Sequence, residues 1–270
     1  MRILTSLSFL LLFLSCNVSK HKHISYFDEI SLDNPQLNIY TNKESQSKSP
    51  VLVFVHGGNW KSGDKKQYGF LGRNFARKGI VTVIPNYTLS PKADYDSMTF
   101  EIAQVIQWVK KNISTYGGDS TQIFLTGHSA GGHLIALATL NPKYGIAKGT
   151  VAGLILNDAA GLDMETYLKN NPPTEKNDYL TTWTADPKEW KKASPINYLD
   201  ENSPRMLLYL GTKTYPSITS SNLRFLKELR KYQPDTKRIE LDKKHVGMIS
   251  QFLNRKNERY EEYIDFMKGN

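Results

Sequence analysis

Gly127-His128-Ser129-Ala130-Gly131 sets a serine between glycines two positions to either side. The apolar run Ile123-Phe124-Leu125-Thr126 leads into it and a helical pattern from His133 to Leu140 leads out, so Ser129 sits at a strand-to-helix turn. Such a tight turn admits only small neighbours and lifts the hydroxyl clear of the sheet. It also aims the amide of Ala130, at a helix start, toward a space where negative charge can develop. Ser129 is thus the candidate nucleophile of an acyl transfer. That chemistry needs further amide donors for the oxygen of the tetrahedral intermediate. His56-Gly57-Gly58-Asn59-Trp60, directly after an apolar run, offers the N–H groups of Gly58 and Asn59, where paired glycines let backbone approach a substrate closely. A general base must then take the serine proton. In the chain order nucleophile, acid, base, it belongs in the loop after the last strand, and of six histidines His245 stands there. His21 and His23 lie near the leader, His56 and His128 flank the backbone motifs, and His133 on the following helix has a packing or capping role.

Elements must hold these groups in place. Ile24 to Ile30 and Leu37 to Thr41 read as short strands around a turn at Asn34-Pro35. Val51 to Val55 is continuously apolar, as in a strand covered on both faces, and Ile80 to Ile84 is another, stopped by Pro85. Phe100 to Lys111 repeats apolar residues at helical spacing. Strands at Val151 to Leu156, Met206 to Leu210 and Arg238 to Leu241 follow, with helices at Asn222 to Lys231 and Arg259 to Met267. This alternation predicts an α/β fold: a doubly wound, mostly parallel sheet of about eight strands with helices on both faces and working loops at the strands' carboxyl ends. The pattern breaks over 159–204, which reads as a lid-like insertion. Its Trp183, Trp190 and Tyr179 either line an acyl or aromatic pocket or pack the insertion onto the body.

The chain of 270 residues supports one large domain, 21–270, behind a leader and tether, 1–20. The net charge of +9 comes from lysines and arginines interleaved with acids, which excludes a clustered nucleic-acid site. Met1-Arg2 and the apolar Ile3 to Leu14 have the build of a secretory leader too short to span a bilayer. Cys16, the single cysteine, follows it and resembles a bacterial lipoprotein cleavage site. The expectation is export, either as a periplasmic or cell-envelope lipoprotein anchored at Cys16 or as a secreted protein, with no intramolecular disulfide. No cofactor and no metal are expected, since no convincing cluster of ligand residues stands out.

His56-Gly57-Gly58-Asn59-Trp60, Trp60-Lys61-Ser62-Gly63-Asp64-Lys65, Asn86-Tyr87-Thr88-Leu89-Ser90-Pro91, Tyr116-Gly117-Gly118-Asp119, Gly127 to Leu134 and Ser194-Pro195-Ile196 stand in order. As a set they resemble the α/β-hydrolase superfamily, in the esterase branch with hormone-sensitive-lipase-like, feruloyl-esterase-like and kynurenine-formamidase-like proteins. The resemblance covers Tyr26 to Met267 and implies Ser129 as nucleophile, His245 as base, and Gly58, Asn59 and Ala130 as oxyanion donors. It also implies an acid in the loop after Met206 to Leu210, yet Gly211-Thr212-Lys213-Thr214-Tyr215-Pro216-Ser217 holds no carboxylate. Asp158, directly after Val151 to Asn157, is the candidate in its place. Asp163, or no acid at all, are the alternatives, and Asp163 is expected to have a structural role. The leading expectation is a serine carboxylesterase acting on small acyl esters, with acetyl or feruloyl groups on carbohydrate as a substrate class. An arylformamidase-type amidase, or a catalytically weakened binding protein, are the alternatives. Small-molecule or carbohydrate esters are the expected partners, with a membrane engaged only through lipid on Cys16.

Overall fold

A computed structural model of the chain describes residues 17–29, 34–45, 47–174 and 179–269. Among them are eight strands: β1 (Val18–Ser25), β2 (Gln36–Asn42), β3 (Ser49–Val55), β4 (Val81–Pro85), β5 (Gly118–His128), β6 (Gly153–Asn157), β7 (Arg205–Lys213) and β8 (Arg238–Lys244). They form one sheet in the order β1-β2-β4-β3-β5-β6-β7-β8. β2 runs antiparallel to both β1 and β4, and the other pairings are parallel. The helices are α1 (Gly69–Arg77), α2 (Tyr95–Asn112), α3 (Ala130–Leu140), α4 (Met164–Asn170), α5 (Leu180–Trp183), α6 (Pro187–Lys192), α7 (Pro216–Leu229), α8 (Gly247–Ser250) and α9 (Arg259–Lys268).

The side-chain period of a strand explains the layering. In β3, Val51, Val53 and Val55 face a core built with α2, α3, α7 and the insertion, while Leu52 and Phe54 face a second core built with α1 and α9. Both faces are covered, so the run Val-Leu-Val-Phe-Val shows no polar alternation. α3 is apolar nearly all round and buried from Ala130 to Ala138, as a helix in the middle of the molecule must be. It carries the strand-to-helix turn of Ser129 against the centre of the sheet.

The structure corrects two readings. The first strand is Val18–Ser25, not Ile24 to Ile30, whose last residue lies outside the described residues. It is an edge strand with Lys20, His21 and Lys22 exposed, so it shows little apolar periodicity, and lysines on an edge discourage pairing with another chain. Part of the expected tether, Val18 to Lys20, is therefore in the sheet. Residues 1–16 of the leader, with Cys16, lie outside the described residues. The second correction is α1, which the pattern missed because Gly69 and Gly72 are poor helix formers. Gly72 is there because the Tyr40 ring lies 2.3 Å from where a Cβ would stand.

Candidate active site

Ser129 has φ 54° and ψ −123°, a conformation few side chains adopt, at the junction of β5 and α3. Its neighbours permit it. A Cβ on Gly127 would lie 2.4 Å from the carbonyl carbon of Gly131, and one on Gly131 would lie 2.1 Å from the carbonyl oxygen of Val55 in β3. The Ser129 carbonyl accepts from the N–H groups of Gly132, His133 and Ala160, which ties the turn to α3 and to the loop after β6.

The loop after β3 passes directly against the serine: a Cβ on Gly57 would fall 3.0 Å from the Cβ of Ser129. Gly58, Asn59 and Trp60 all have positive φ, at 127°, 53° and 59°. The Gly58 carbonyl is turned away and accepts from Lys61 N, Ser62 N and Ser62 Oγ. The amides of Gly58, Asn59 and Ala130 donate to no other described residue. The motif residues behind this loop brace it. Tyr87 Oη donates to His56 O at 3.1 Å, and Asn86 accepts from Lys65 N and donates to Asp64.

Trp60 is fixed from two sides. Its indole N–H donates to His133 Nδ1 at 3.3 Å, and His133 Nε2–H donates to Ala193 O at 2.8 Å. Burial pushes the His133 imidazole down to about 4, so it stays neutral with its proton on Nε2. Trp183 packs edge-on against Trp60 at 4.7 Å and stacks on Tyr95 at 5.4 Å. Trp183 and Trp190 thus pack the insertion onto the body, while Tyr179 borders the cavity and donates from Oη to Asn59 Oδ1 at 3.2 Å.

Asp158 follows β6 with φ 50° and is fully buried. His245 Nδ1–H donates to its Oδ2 at 2.5 Å, across a sequence separation of 87 residues. The same oxygen accepts from Thr214 Oγ1, and Oδ1 accepts from Gly211 N at 3.0 Å. Asp163 is elsewhere engaged: it caps α4 by accepting from Thr166 N at 3.2 Å and pairs with Arg224 of α7. The structure thus brings Asp158, not Asp163, to His245.

In the sequence His128 only flanks the serine motif, yet its Nε2–H donates to His245 O at 3.0 Å and the two rings lie 4.5 Å apart. Burial first, and the neighbouring His245 second, push the His128 imidazole down to about 4, so it braces the His245 loop as a neutral group. The only sign of this in the sequence is its place beside the serine. His128, Asp158 and His245 have potential ligand atoms within 4.8 Å of one another, the one such His and acid group found among the described residues. Those atoms are already engaged with each other, with Thr214 and with a backbone carbonyl, so the donor set is organised for proton handling rather than for an ion.

Ser129, His128 and His245 open onto a cavity of about 640 Å³ with Gly58, Asn59, Tyr167, Tyr179 and Tyr215 in its wall. A solved carbohydrate esterase from gut microbiota superposes with a TM-score of 0.79 at 19% identity, covering 94% of this chain and 97% of that one. Esterase B of Lactobacillus rhamnosis gives a TM-score of 0.76 at 18% identity, covering 94% and 87%. These likenesses carry the fold. Among curated proteins, esterase LipQ of Mycobacterium tuberculosis is 30% identical over 188 residues, 66% of this chain and 44% of that protein. Kynurenine formamidase of Danio rerio is 32% identical over 156 residues, 52% of each. The chain spans between 22% and 53% of the length of the curated relatives it matches. The family model BD-FAE matches residues 37–228, from β2 through most of α7. The chain belongs to the BD-FAE family, within the esterase and lipase branch of the α/β-hydrolases.

Proposed function

We propose that the protein is a serine carboxylesterase. The observation that carries this reading is the hydrogen bond from His245 Nδ1 to the buried Asp158 carboxylate, beside a cavity that also holds the strained Ser129. With Nδ1–H committed to Asp158, His245 Nε2 is left as the lone-pair nitrogen, the tautomer a general base needs. In this reading Ser129 Oγ attacks the ester carbonyl and its proton passes to His245. The amides of Gly58, Asn59 and Ala130 receive the oxyanion. Collapse of the intermediate expels the alcohol, which takes the proton from His245, and water then repeats the sequence on the acyl-enzyme. Asp158 holds the ring and stabilises the imidazolium.

Tyrosine rings and the polar groups of Asn59 and Ser62 in the cavity wall support a substrate with flat apolar and hydroxyl-bearing parts, and about 640 Å³ is within the usual range for a small-ligand site. We take acetyl or aromatic acyl esters of carbohydrate as the substrate class. The name of the gut-microbial neighbour supports the same choice. The likeness to kynurenine formamidase makes an arylformamide the second class to assay. The reading includes export, with a lipid on Cys16 or free secretion. Hydrolysis of p-nitrophenyl acetate and butyrate by the wild type and by Ser129→Ala, with fluorophosphonate labelling of both, tests the proposal. Turnover and labelling that vanish together in Ser129→Ala are the expected result. A wild type that neither turns over nor labels would sink it.

A further inference from the structure

The loop after β7 is where the sequence lacks the expected carboxylate, and it is also the loop that holds the carboxylate arriving from β6. Thr214 Oγ1–H donates to Asp158 Oδ2 at 2.5 Å and lies 3.3 Å from His245 Nδ1. Three residues earlier, Gly211 N–H donates to Oδ1 at 3.0 Å. An aspartate's terminal torsion is broad and roughly two-fold, so a carboxylate with one partner can turn away from it. Here both oxygens are held from one short stretch, the end of β7 and the residue that follows it, and a carboxylate oxygen has lone pairs for two donors, so Oδ2 serves Thr214 and His245 together. The threonine is itself positioned, its N–H donating to Gly211 O at 3.2 Å.

Resting on the reading of His245 as base, we propose that Thr214 is a positioning residue, whose hydroxyl fixes the rotation of the Asp158 carboxylate so that Oδ2 meets His245 Nδ1. The loop after β7 thereby keeps a part in orienting the base, by a hydrogen bond in place of a charge.

The test is a double-mutant cycle on p-nitrophenyl butyrate. Thr214→Val and Thr214→Ala each remove the hydroxyl, Thr214→Ser keeps it, and each is combined with Asp158→Asn. Loss of a hydrogen bond to a charged group predicts a fall in kcat of about 10–100-fold for both hydroxyl-less variants, with KM little changed. Thr214→Ser should recover most of the rate. In the Asp158→Asn background the penalty should shrink to within about twofold, because Thr214 then has no carboxylate to hold. A threonine that merely supports the loop would cost the same in both backgrounds and would not depend on the hydroxyl. Either outcome, or kcat unchanged in Thr214→Val, overturns the inference while wild-type turnover and fluorophosphonate labelling keep the esterase reading intact. If the wild type itself neither turns over nor labels, His245 is no base and both fall together.

Discussion

Asp158→Asn tests the geometry at its most demanding point. Both carboxylate oxygens receive donors, Gly211 N on Oδ1 and His245 Nδ1 with Thr214 Oγ1 on Oδ2, and an amide has only one oxygen. If that oxygen faces Gly211, the amide NH₂ confronts His245 Nδ1, which must become the acceptor. The ring proton then moves to Nε2, the tautomer that cannot accept from serine. In a comparable hydrolase this costs kcat about four orders of magnitude, roughly 5 kcal/mol of barrier. If instead the oxygen faces His245, NH₂ meets the Gly211 N–H, a buried donor against a donor, costing about 1–3 kcal/mol. The charge that stabilises the imidazolium is lost either way. Asparagine tolerates the positive φ at this position, so the backbone is expected to survive. The assay is kcat on p-nitrophenyl butyrate, with thermal melting to confirm folding and Asp163→Asn in parallel. Asp163→Asn keeps the helix cap, because asparagine accepts from Thr166 N as aspartate does, and loses only the ion pair with Arg224, so it should lower stability by about 1 kcal/mol and leave kcat within about tenfold. The reasoning fails if Asp158→Asn stays within tenfold of wild type, or if Asp163→Asn shows the larger loss of rate.

Gly131→Ala would set a methyl group 2.1 Å from Val55 O and 2.7 Å from His56 O, backbone atoms that cannot swing aside. Overpacking of that order costs about 3 kcal/mol, so the melting temperature should drop by about 6–12 °C, and a shift under about 2 °C would show slack in the turn. His128 and His133 are both pushed down to about 4 by burial, against about 6.5 in an unfolded chain. Between those values the unfolded chain binds the protons and the fold does not. Their stabilisation is therefore complete above about pH 6.5 and is lost as pH falls toward 4, at about 1.4 kcal/mol per pH unit for each. Urea unfolding at pH 7, 6 and 5 should reveal this slope, to which His56, also pushed down by burial, adds, and His133→Gln should remove its own share of about 1.4 kcal/mol per pH unit; an unaltered slope in the variant would contradict the buried neutral tautomer.

What the sequence revealed was what is local. The strand Val51 to Val55, the turn around Ser129 and the paired glycines after β3 each carry their signal within a few residues, because the steric demand and the residues that meet it are neighbours. The meeting of Asp158 with His245 was legible only through the carboxylate missing from Gly211 to Ser217. β1 escaped because an edge strand needs no apolar face, and α1 because its glycines answer a contact with Tyr40 on another strand. Thr214, Trp60, His133 and Trp183 take their roles from partners tens of residues away, and no spacing rule encodes those meetings. Trp183 and Tyr179 stand four residues apart in the insertion, yet one faces the core and the other the cavity. That choice is made by how the insertion docks.

The burial of Trp183 also sets how the enclosure over the cavity can behave. To lift α5 off the body as a flap, its indole would have to leave Trp60, His133 and Tyr95 for water. Re-exposing about 250 Å² of aromatic surface costs on the order of 6 kcal/mol, which leaves roughly one molecule in ten thousand open at any moment. A ligand therefore meets Tyr179, at the start of α5, already in place, and selectivity at that part of the wall rests on a shape and polarity set before anything binds.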